Sequence, residues 1–406
     1  MKKSIDSKTE RLQNLFFFST KNKLMVILNT FLLFTGILLW AVPLISVIAL
    51  LFPFFKIRFG LIQTNYIGHQ ILDLEKFIQQ TNKESCREFN FYFCQPNISN
   101  KFLIQKARSK ILIFPRVFIL PIYVCLKIIH FKFMLNKNSL PIDMSLDEEF
   151  YASPTWVKFN KKDLEDGDKI AQLFKIQSDL VGLYIRNEFF KNNFGKPNEI
   201  LNSKYRDSTF ESYQKMLKLL VPNFQLIKMG KDFQLRWEEV VDYASSEHTS
   251  DFADFFIASL MNFSINNDSG SIYIPTVLRK PVYLCNASLN GILNGSPGFI
   301  HLMKRYKLGD KDLSLLQLVN LKIDQISNQG ELDSLNVVIV ENTEDELCFF
   351  AQEVIEHVAG MWNPSEANLK LKRWLTDYTL SHGGKVNGYF PNYWLQKNGW
   401  FLDGLC

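Results

Sequence analysis

Between positions 263 and 286 the chain reads FSINNDSGSIYIPTVLRKPVYLCN, and no other stretch restricts its fold as tightly. An apolar strand runs into a small polar turn, a short helix opens, and a second apolar strand begins at Pro281. Strand, helix and strand in this order form the repeating unit of an open α/β sheet, whose first turn presents backbone N–H groups to a phosphate. Gly270 allows close backbone approach, Ser269 caps the helix and offers a hydroxyl, and the N-terminal end of the dipole favours negative charge. Asn267, Asp268, Ser269 and Gly270 are therefore candidate contacts to a nucleotide-bearing ligand. An ordinary N-capped helix between two strands has the same appearance, so the ligand reading needs support from elsewhere in the chain.

That support comes from alternation. Residues 59–65 read as a strand, Tyr66-Ile67-Gly68-His69 as the turn into a helix through Gln79, and Glu88–Cys94 as a second strand. After a Pro-, Asn- and Ser-containing linker near residue 150, helical patterns over 161–174, 208–220 and 250–260 interleave with strands over 180–186, 224–229, 240–244 and 263–267. A further strand, Val337–Val340, precedes a capped helix running to about His357. Strands alternating with helices imply parallel sheets covered on both faces. The expectation is an α/β chain with two Rossmann-like domains facing across a cleft, and ligands bound outside the carboxyl ends of the strands.

Charge and hydropathy divide the chain differently. Residues 1–140 carry 19 Lys and Arg against 6 Asp and Glu, whereas the remainder carries 27 against 35. The basic part also holds an almost uninterrupted apolar run at 24–55, and about 20 apolar residues suffice to cross a bilayer. The run is too long for the core of a signal peptide. Lysines and arginines flank it on both sides, so the positive-inside rule selects no direction. It reads as a single span or as a hairpin bent at Pro43, the hairpin being preferred if the downstream domain uses a cytoplasmic substrate. Residues 111–134 are apolar but interrupted by Pro115, Arg116, Pro121, Lys127 and Lys132, which suits a segment resting on headgroups or core helices with solvated basic heads.

Six cysteines without CxxC spacing and six histidines without an HxxxH pair give no zinc site or disulfide framework, and scattered thiols suit a reducing cytoplasm. No tight DxD pair is present among Asp251, Asp254 and Asp268, so no metal and no cofactor are expected. The residues with chemical promise lie at strand ends. His69, at a first βα turn, has the pKa range of a base at neutral pH. Arg186 closes the strand LVGLYIR, where a guanidinium can clamp a diphosphate bidentately, or pair with Glu188 or Asp207. Lys228 and Gly230 close FQLIKMG, the same position one strand on. Asp207 reads as a helix N-cap, Arg206 as a minor candidate, and Lys304 and Arg305, after a helical pattern at 298–303, either as an approach to the cleft or, by preference, as a solvated face.

Taken together, YIGHQILDLE, PNISNKFL, VGLYIRNEFF, YRDSTFESY, QLIKMG and FSINNDSG, in this order over roughly residues 60–360, resemble a family of bacterial glycosyltransferases found among surface-polysaccharide genes. The resemblance implies a GT-B-like architecture, with acceptor bound mainly by the N-terminal domain and nucleotide-sugar by the C-terminal one. By position it assigns His69 and Arg186 to catalysis and Ser269-Gly270 to the S-G turn. This chain departs from the family at Tyr184, where the family has His, at Asn187, where it has Asp, and at Lys228, where it has Arg. The last preserves charge but not a bidentate contact.

The expected organisation is a basic segment at 1–23, a membrane anchor at 24–55, an acceptor-side Rossmann-like domain at 56–150, a linker and helix at 151–178, a nucleotide-sugar-binding domain at 179–360 and a tail packing back at 361–406. The expected activity is a metal-independent, hexosyltransferase-type glycosyltransferase on the cytoplasmic face of a bacterial inner membrane. Its donor is a nucleotide-sugar, its acceptor a glycan carried on lipid, and nucleic acid is not a partner. Competing readings are a non-catalytic scaffold of a polysaccharide-assembly complex, motivated by Tyr184 and Asn187, and a nucleotide-sugar epimerase on the same fold.

Overall fold

The computed structural model describes residues 31–32, 34–83, 87–136, 148–187, 204–230, 237–293, 296, 298–326, 328–381 and 388–405. The basic segment at 1–23, the first part of the apolar run, the linker at 137–147, Glu188, Cys86 and Cys406 lie outside the described residues. The chain divides into two compact units, 1–140 and 141–406.

In the first unit a helix, α1, covers Phe34–Leu51. It contains a π-turn at Ile37–Ala41, closed by the Val42 N–H bonding to the Ile37 carbonyl five residues back. Pro43 has no N–H to return to the preceding turn, and the widened turn just before it removes that demand. The helix consequently passes through Pro43, and the reversal that the hairpin alternative places there does not occur. Strands β1 (Lys56–Ile62), β2 (Glu88–Cys94) and β3 (Leu112–Ile113) form a parallel sheet in that order.

Because strand side chains alternate, the two faces of this sheet take different partners. Phe59, Leu61 and Phe93 meet Ala41, Ile45 and Ile48 of α1 and Ile119, Ile122, Tyr123 and Leu126 of helix Arg116–Ile128. On the opposite face Tyr92 stacks on Phe77 of helix α2 (Ile67–Lys83), with ring centroids 4.4 Å apart. Tyr92 lies across Gly60, where a Cβ would come within 2.6 Å of its ring. Three layers result, one of them containing the membrane-anchor candidate.

The second unit holds a six-stranded, all-parallel sheet: β4 (Leu180–Tyr184), β5 (Gln225–Lys228), β6 (Val240–Asp242), β7 (Phe263–Asn266), β8 (Val282–Ala287) and β9 (His301–Met303). Their spatial order is β6-β5-β4-β7-β8-β9. Numbered from β4, this is the doubly wound order 3-2-1-4-5-6, in which the chain reverses its direction of winding between β4 and β7. β4, β7 and β8 are buried along their whole length, as parallel strands covered on both faces must be. Helix Asp251–Leu260, capped by Ser250, delivers the chain to β7.

Three expectations require correction. Residues 298–303 form no helix, for His301–Met303 is the edge strand β9; a three-residue strand carries too little periodicity to be told from a helical turn. Val337–Val340 is a strand but joins Arg305–Leu308 and Lys311–Asp312 in a separate antiparallel sheet. Asp207 caps no helix. A 3-10 turn at Phe210–Tyr213 precedes helix Gln214–Leu220, and its N-cap is Thr209, held by Glu341. Beyond residue 361, helix Asn392–Lys397 packs on helix Glu344–Val358 and helix Glu366–Ser381 packs on Asn392–Lys397; the buried Glu353 accepts from Trp362 Nε1, Asn392 N and Tyr393 N.

Candidate functional site

At the reversal between β4 and β7 the carboxyl ends of two adjacent strands diverge, leaving backbone groups that neither strand satisfies. Asn267 fills this need. Fully buried, its Oδ1 accepts from the Arg186 N–H (2.8 Å), and its Nδ2 donates to the Arg186 carbonyl (2.8 Å) and to Ser208 Oγ (3.0 Å). Asp268 turns towards β8, where its Oδ2 accepts from the Ser288 N–H at 2.7 Å. The carboxylate occupies the space beside Gly291, where an added Cβ would stand 1.8 Å from Oδ1. Ser269, half-buried, caps a 3-10 turn at Gly270–Ile272 and shares a hydroxyl contact with Ser271 at 2.7 Å.

Basic groups gather around this clip. Arg186 donates from Nε to Asp207 Oδ1 at 2.7 Å, each side chain 12% exposed. Arg206 donates from Nε to the Asp268 carbonyl at 2.9 Å. Lys304, the first residue after β9, is 2% exposed and donates to the carbonyls of Tyr205 (3.2 Å) and Asp207. Segment 204–208 is thus strapped across the strand ends by cations from three directions. Burial, then repulsion from Arg206, draws the Arg186 pKa down, with Asp207 and Asp268 opposing. Burial likewise lowers Lys304, against Glu341, Asp268 and Asp207. Three cations therefore face three carboxylates, a balance that an incoming polyanion would shift.

Lys228, the last residue of β5, is also buried; its Nζ stands 3.7 Å from Asp242 Oδ1 on β6 and 6.0 Å from the Phe210 ring, which stacks on Trp237 at 3.6 Å. A solvated loop lysine is excluded. Gly230 follows at φ +93°, a backbone state that glycine adopts without cost. His69 belongs to the first unit, on the first turn of α2 after the carboxyl end of β1, half-buried with the Tyr66 ring 6.0 Å away. Beside it Gln70 and Asn100 exchange hydrogen bonds that lock the loop after β2 onto α2.

The second unit accordingly brings Arg186 and residues 267–270 together at one crevice, with Lys228 one strand away. Arg206, a minor candidate in the sequence, and Lys304, for which a solvated face is preferred over an approach to the cleft, belong to the same cluster. The signal for Lys304 is IHLMK, which ends in a lysine just as FQLIK does, though its apolar spacing also fits a helical turn. Among the described residues no group of three His, Cys, Asp or Glu side chains stands within reach of a shared metal ion.

No protein-family model and no curated protein sequence matches the chain. Among solved structures it is similar to a glycosyl transferase family 9 protein from Veillonella parvula DSM 2008, with TM-score 0.42 and 11% identity over 75% of this chain and 97% of that one. It is also similar to the E. coli ADP-heptose LPS heptosyltransferase II, with TM-score 0.39 and 10% identity over 69% and 98% of the two chains. Likenesses this weak decide neither fold nor activity.

Proposed function

We propose that the chain is a glycosyltransferase that takes a sugar from a nucleotide-sugar donor and passes it to a glycan acceptor carried on lipid at the cytoplasmic face of a bacterial inner membrane. The observation that carries the reading is the convergence of Arg186, Arg206 and Lys304 at the reversal of a 3-2-1-4-5-6 sheet, where doubly wound folds bind phosphate-bearing ligands. In this reading the guanidinium groups hold the donor diphosphate and stabilise the charge that develops on the departing nucleotide, and the 267–270 turn adds backbone donors. Lys228 and Gly230 line the neighbouring strand end on the nucleotide side. His69, in the first unit, takes the proton of the acceptor hydroxyl.

A non-catalytic scaffold is the competing reading, and the Arg186–Asp207 pair favours it, since a guanidinium already matched by a carboxylate needs no ligand. A thermal-shift series with UDP-, GDP-, CDP- and dTDP-sugars, on the detergent-solubilised protein and on Arg186→Ala, separates the two. A donor-specific stabilisation that the variant loses supports the transferase, because a ligand that binds only the native state raises its stability by mass action. A folded protein that responds to none of the four supports the scaffold.

A further inference from the structure

Helix α1 presents an unusual combination of faces. Ala41, Ile45 and Ile48, spaced by four and three residues, pack against the β1–β2 sheet and helix Arg116–Ile128. The outward stripe is equally apolar: Leu39 is 70% exposed, Val47 52%, Leu50 77% and Phe54 66%. A soluble surface helix carries polar residues on its outer face, and a helix apolar all round is buried in something. The exposed apolar surface continues beyond α1, for Trp40 Nε1 donates to the carbonyl of exposed Phe118 at 3.4 Å, and Phe52 packs edge-on against exposed Phe133 at 4.9 Å.

Basic residues border this surface. Arg116 precedes Val117 and Phe118, Lys127 precedes Ile128, Lys132 precedes Phe133, and Lys56 follows Phe54 and Phe55. Among the described carboxylates of the first unit, Asp73 and Glu75 are buried and Glu88 offsets Lys56 (3.0 Å) and Arg58 (3.2 Å), so the cationic border rests on Arg116, Lys127 and Lys132. An apolar face with a cationic border matches an anionic bilayer, acyl chains against the first and headgroups against the second.

We infer that the first unit docks on anionic lipid as a monotopic body, with α1 lying along the interface, one side in the bilayer and the other forming a layer of its own domain. The inference refines the membrane part of the function proposed above. At 18 residues α1 is long enough to cross. Crossing, however, would strip Ala41, Ile45 and Ile48 from helix Arg116–Ile128 and from the apolar cluster they share with Phe59 and Phe93.

The test uses the full chain in flotation with phosphatidylcholine vesicles and with vesicles containing 30% (about one third, enough to make the surface anionic) phosphatidylglycerol. Binding is expected to the anionic vesicles, to fall on the order of tenfold in Lys127→Gln/Lys132→Gln, and to disappear in Leu39→Glu/Leu50→Glu with the thermal unfolding profile retained. Equal binding to both vesicle types, or a lipid-indifferent protein whose Leu39→Glu/Leu50→Glu variant changes from dimer to monomer, overturns the inference. In sealed membrane vesicles, an N-terminal epitope tag is expected on the same side as the C-terminus; tags on opposite sides would establish a crossing helix instead. The nucleotide-sugar thermal shift reads the donor site independently, so Leu39→Glu/Leu50→Glu losing lipid but keeping that shift separates failure of docking from failure of the transferase reading.

Discussion

Replacing Asp207 by Asn tests whether the basic cluster is poised for an anion. The substitution keeps volume and an acceptor for Arg186 Nε while removing the charge that faces Arg186, with Arg206 and Lys304 close by. Both members of the ion pair are only 12% exposed, so solvent screens them little. Removing one partner of a buried pair costs about 3–5 kcal/mol, and the retained acceptor brings the expected loss to about 2–3 kcal/mol. For a unit of this size each kcal/mol moves Tm by about 2–4 °C, giving a fall of roughly 4–12 °C. Six of the seven tryptophans lie in residues 141–406, so intrinsic fluorescence follows this unit rather than the other. A nucleoside diphosphate at a hundred times its Kd adds about 2.7 kcal/mol of stability. In Asp207→Asn the ligand also replaces the missing carboxylate, so its shift should exceed that of the unmodified protein. A fall below about 1 °C would show the pair to be worth no more than a surface contact. An unaltered ligand shift would place the diphosphate away from Arg186 and refute the assignment.

Other consequences follow from neighbouring groups. His301 donates from Nε2 to the Ser296 carbonyl (2.9 Å) and accepts at Nδ1 from the Leu284 N–H (3.2 Å), and burial pushes its pKa from 6.5 down to about 4. The unfolded state therefore takes up a proton first as pH falls, and stability complete above pH 6.5 is lost on descending towards pH 4, by on the order of 3 kcal/mol; urea titrations at pH 7 and 4.5 should show a loss that His301→Gln reduces, with His357, also drawn down by burial, contributing to the remainder. The Tyr184 hydroxyl is buried with no hydrogen-bond partner among the described residues, so Tyr184→Phe should hold or raise stability by up to about 1 kcal/mol by denaturant unfolding. Gly291→Ala sets a methyl against Asp268 and should displace its carboxylate from Ser288 N, lowering Tm by several degrees, on the order of 1–3 kcal/mol of overpacking. A neutral Gly291→Ala would show that Asp268 is held loosely.

The strands around the site were legible because they are buried on both faces and closed by distinctive residues: LVGLYIR, FQLIKMG and FSINNDSG each end where charge or turn chemistry begins. Their order was legible only as parallel alternation; that β4 neighbours both β5 and β7 is a tertiary fact without local expression. The roles within FSINNDSG were less so. Asn267 and Asp268 bond to groups 81 and 20 residues away, Arg186 and Ser288, and nothing in the local pattern distinguishes an aspartate that faces a ligand from one that ties β7 to the chain leaving β8. Lys304 was hidden by a wrong period over three residues. Pro43 left span and hairpin both open for a different reason: proline ordinarily breaks a helix, but a π-turn placed just before it absorbs the defect.

The cations of the cluster are not equivalent, and their hydrogen bonds rank them. Lys304 is sealed and directs its ammonium to two carbonyls of the 204–208 strap, a role that fixes backbone. Arg186 is matched by a carboxylate. Arg206 is half-buried and gives its Nε to the Asp268 carbonyl, and among the described residues neither of its terminal nitrogens has a hydrogen-bond partner. It is therefore the guanidinium held in place at one end and open at the other, the form in which arginine grips a phosphate through two parallel bonds. Arg206→Lys keeps the charge but removes the fork. It should cost no more than about 1.5 kcal/mol of stability in the absence of ligand, through loss of the Nε bond to the Asp268 carbonyl, while weakening nucleoside-diphosphate binding roughly tenfold, the worth of about one charge-assisted hydrogen bond. Lys304→Met should do the reverse, loosening the strap and lowering Tm whether or not nucleotide is present. If calorimetric titration found Arg206→Lys binding unchanged while Arg186→Ala abolished it, the open guanidinium would be a bystander and Arg186 would have to leave Asp207 to bind.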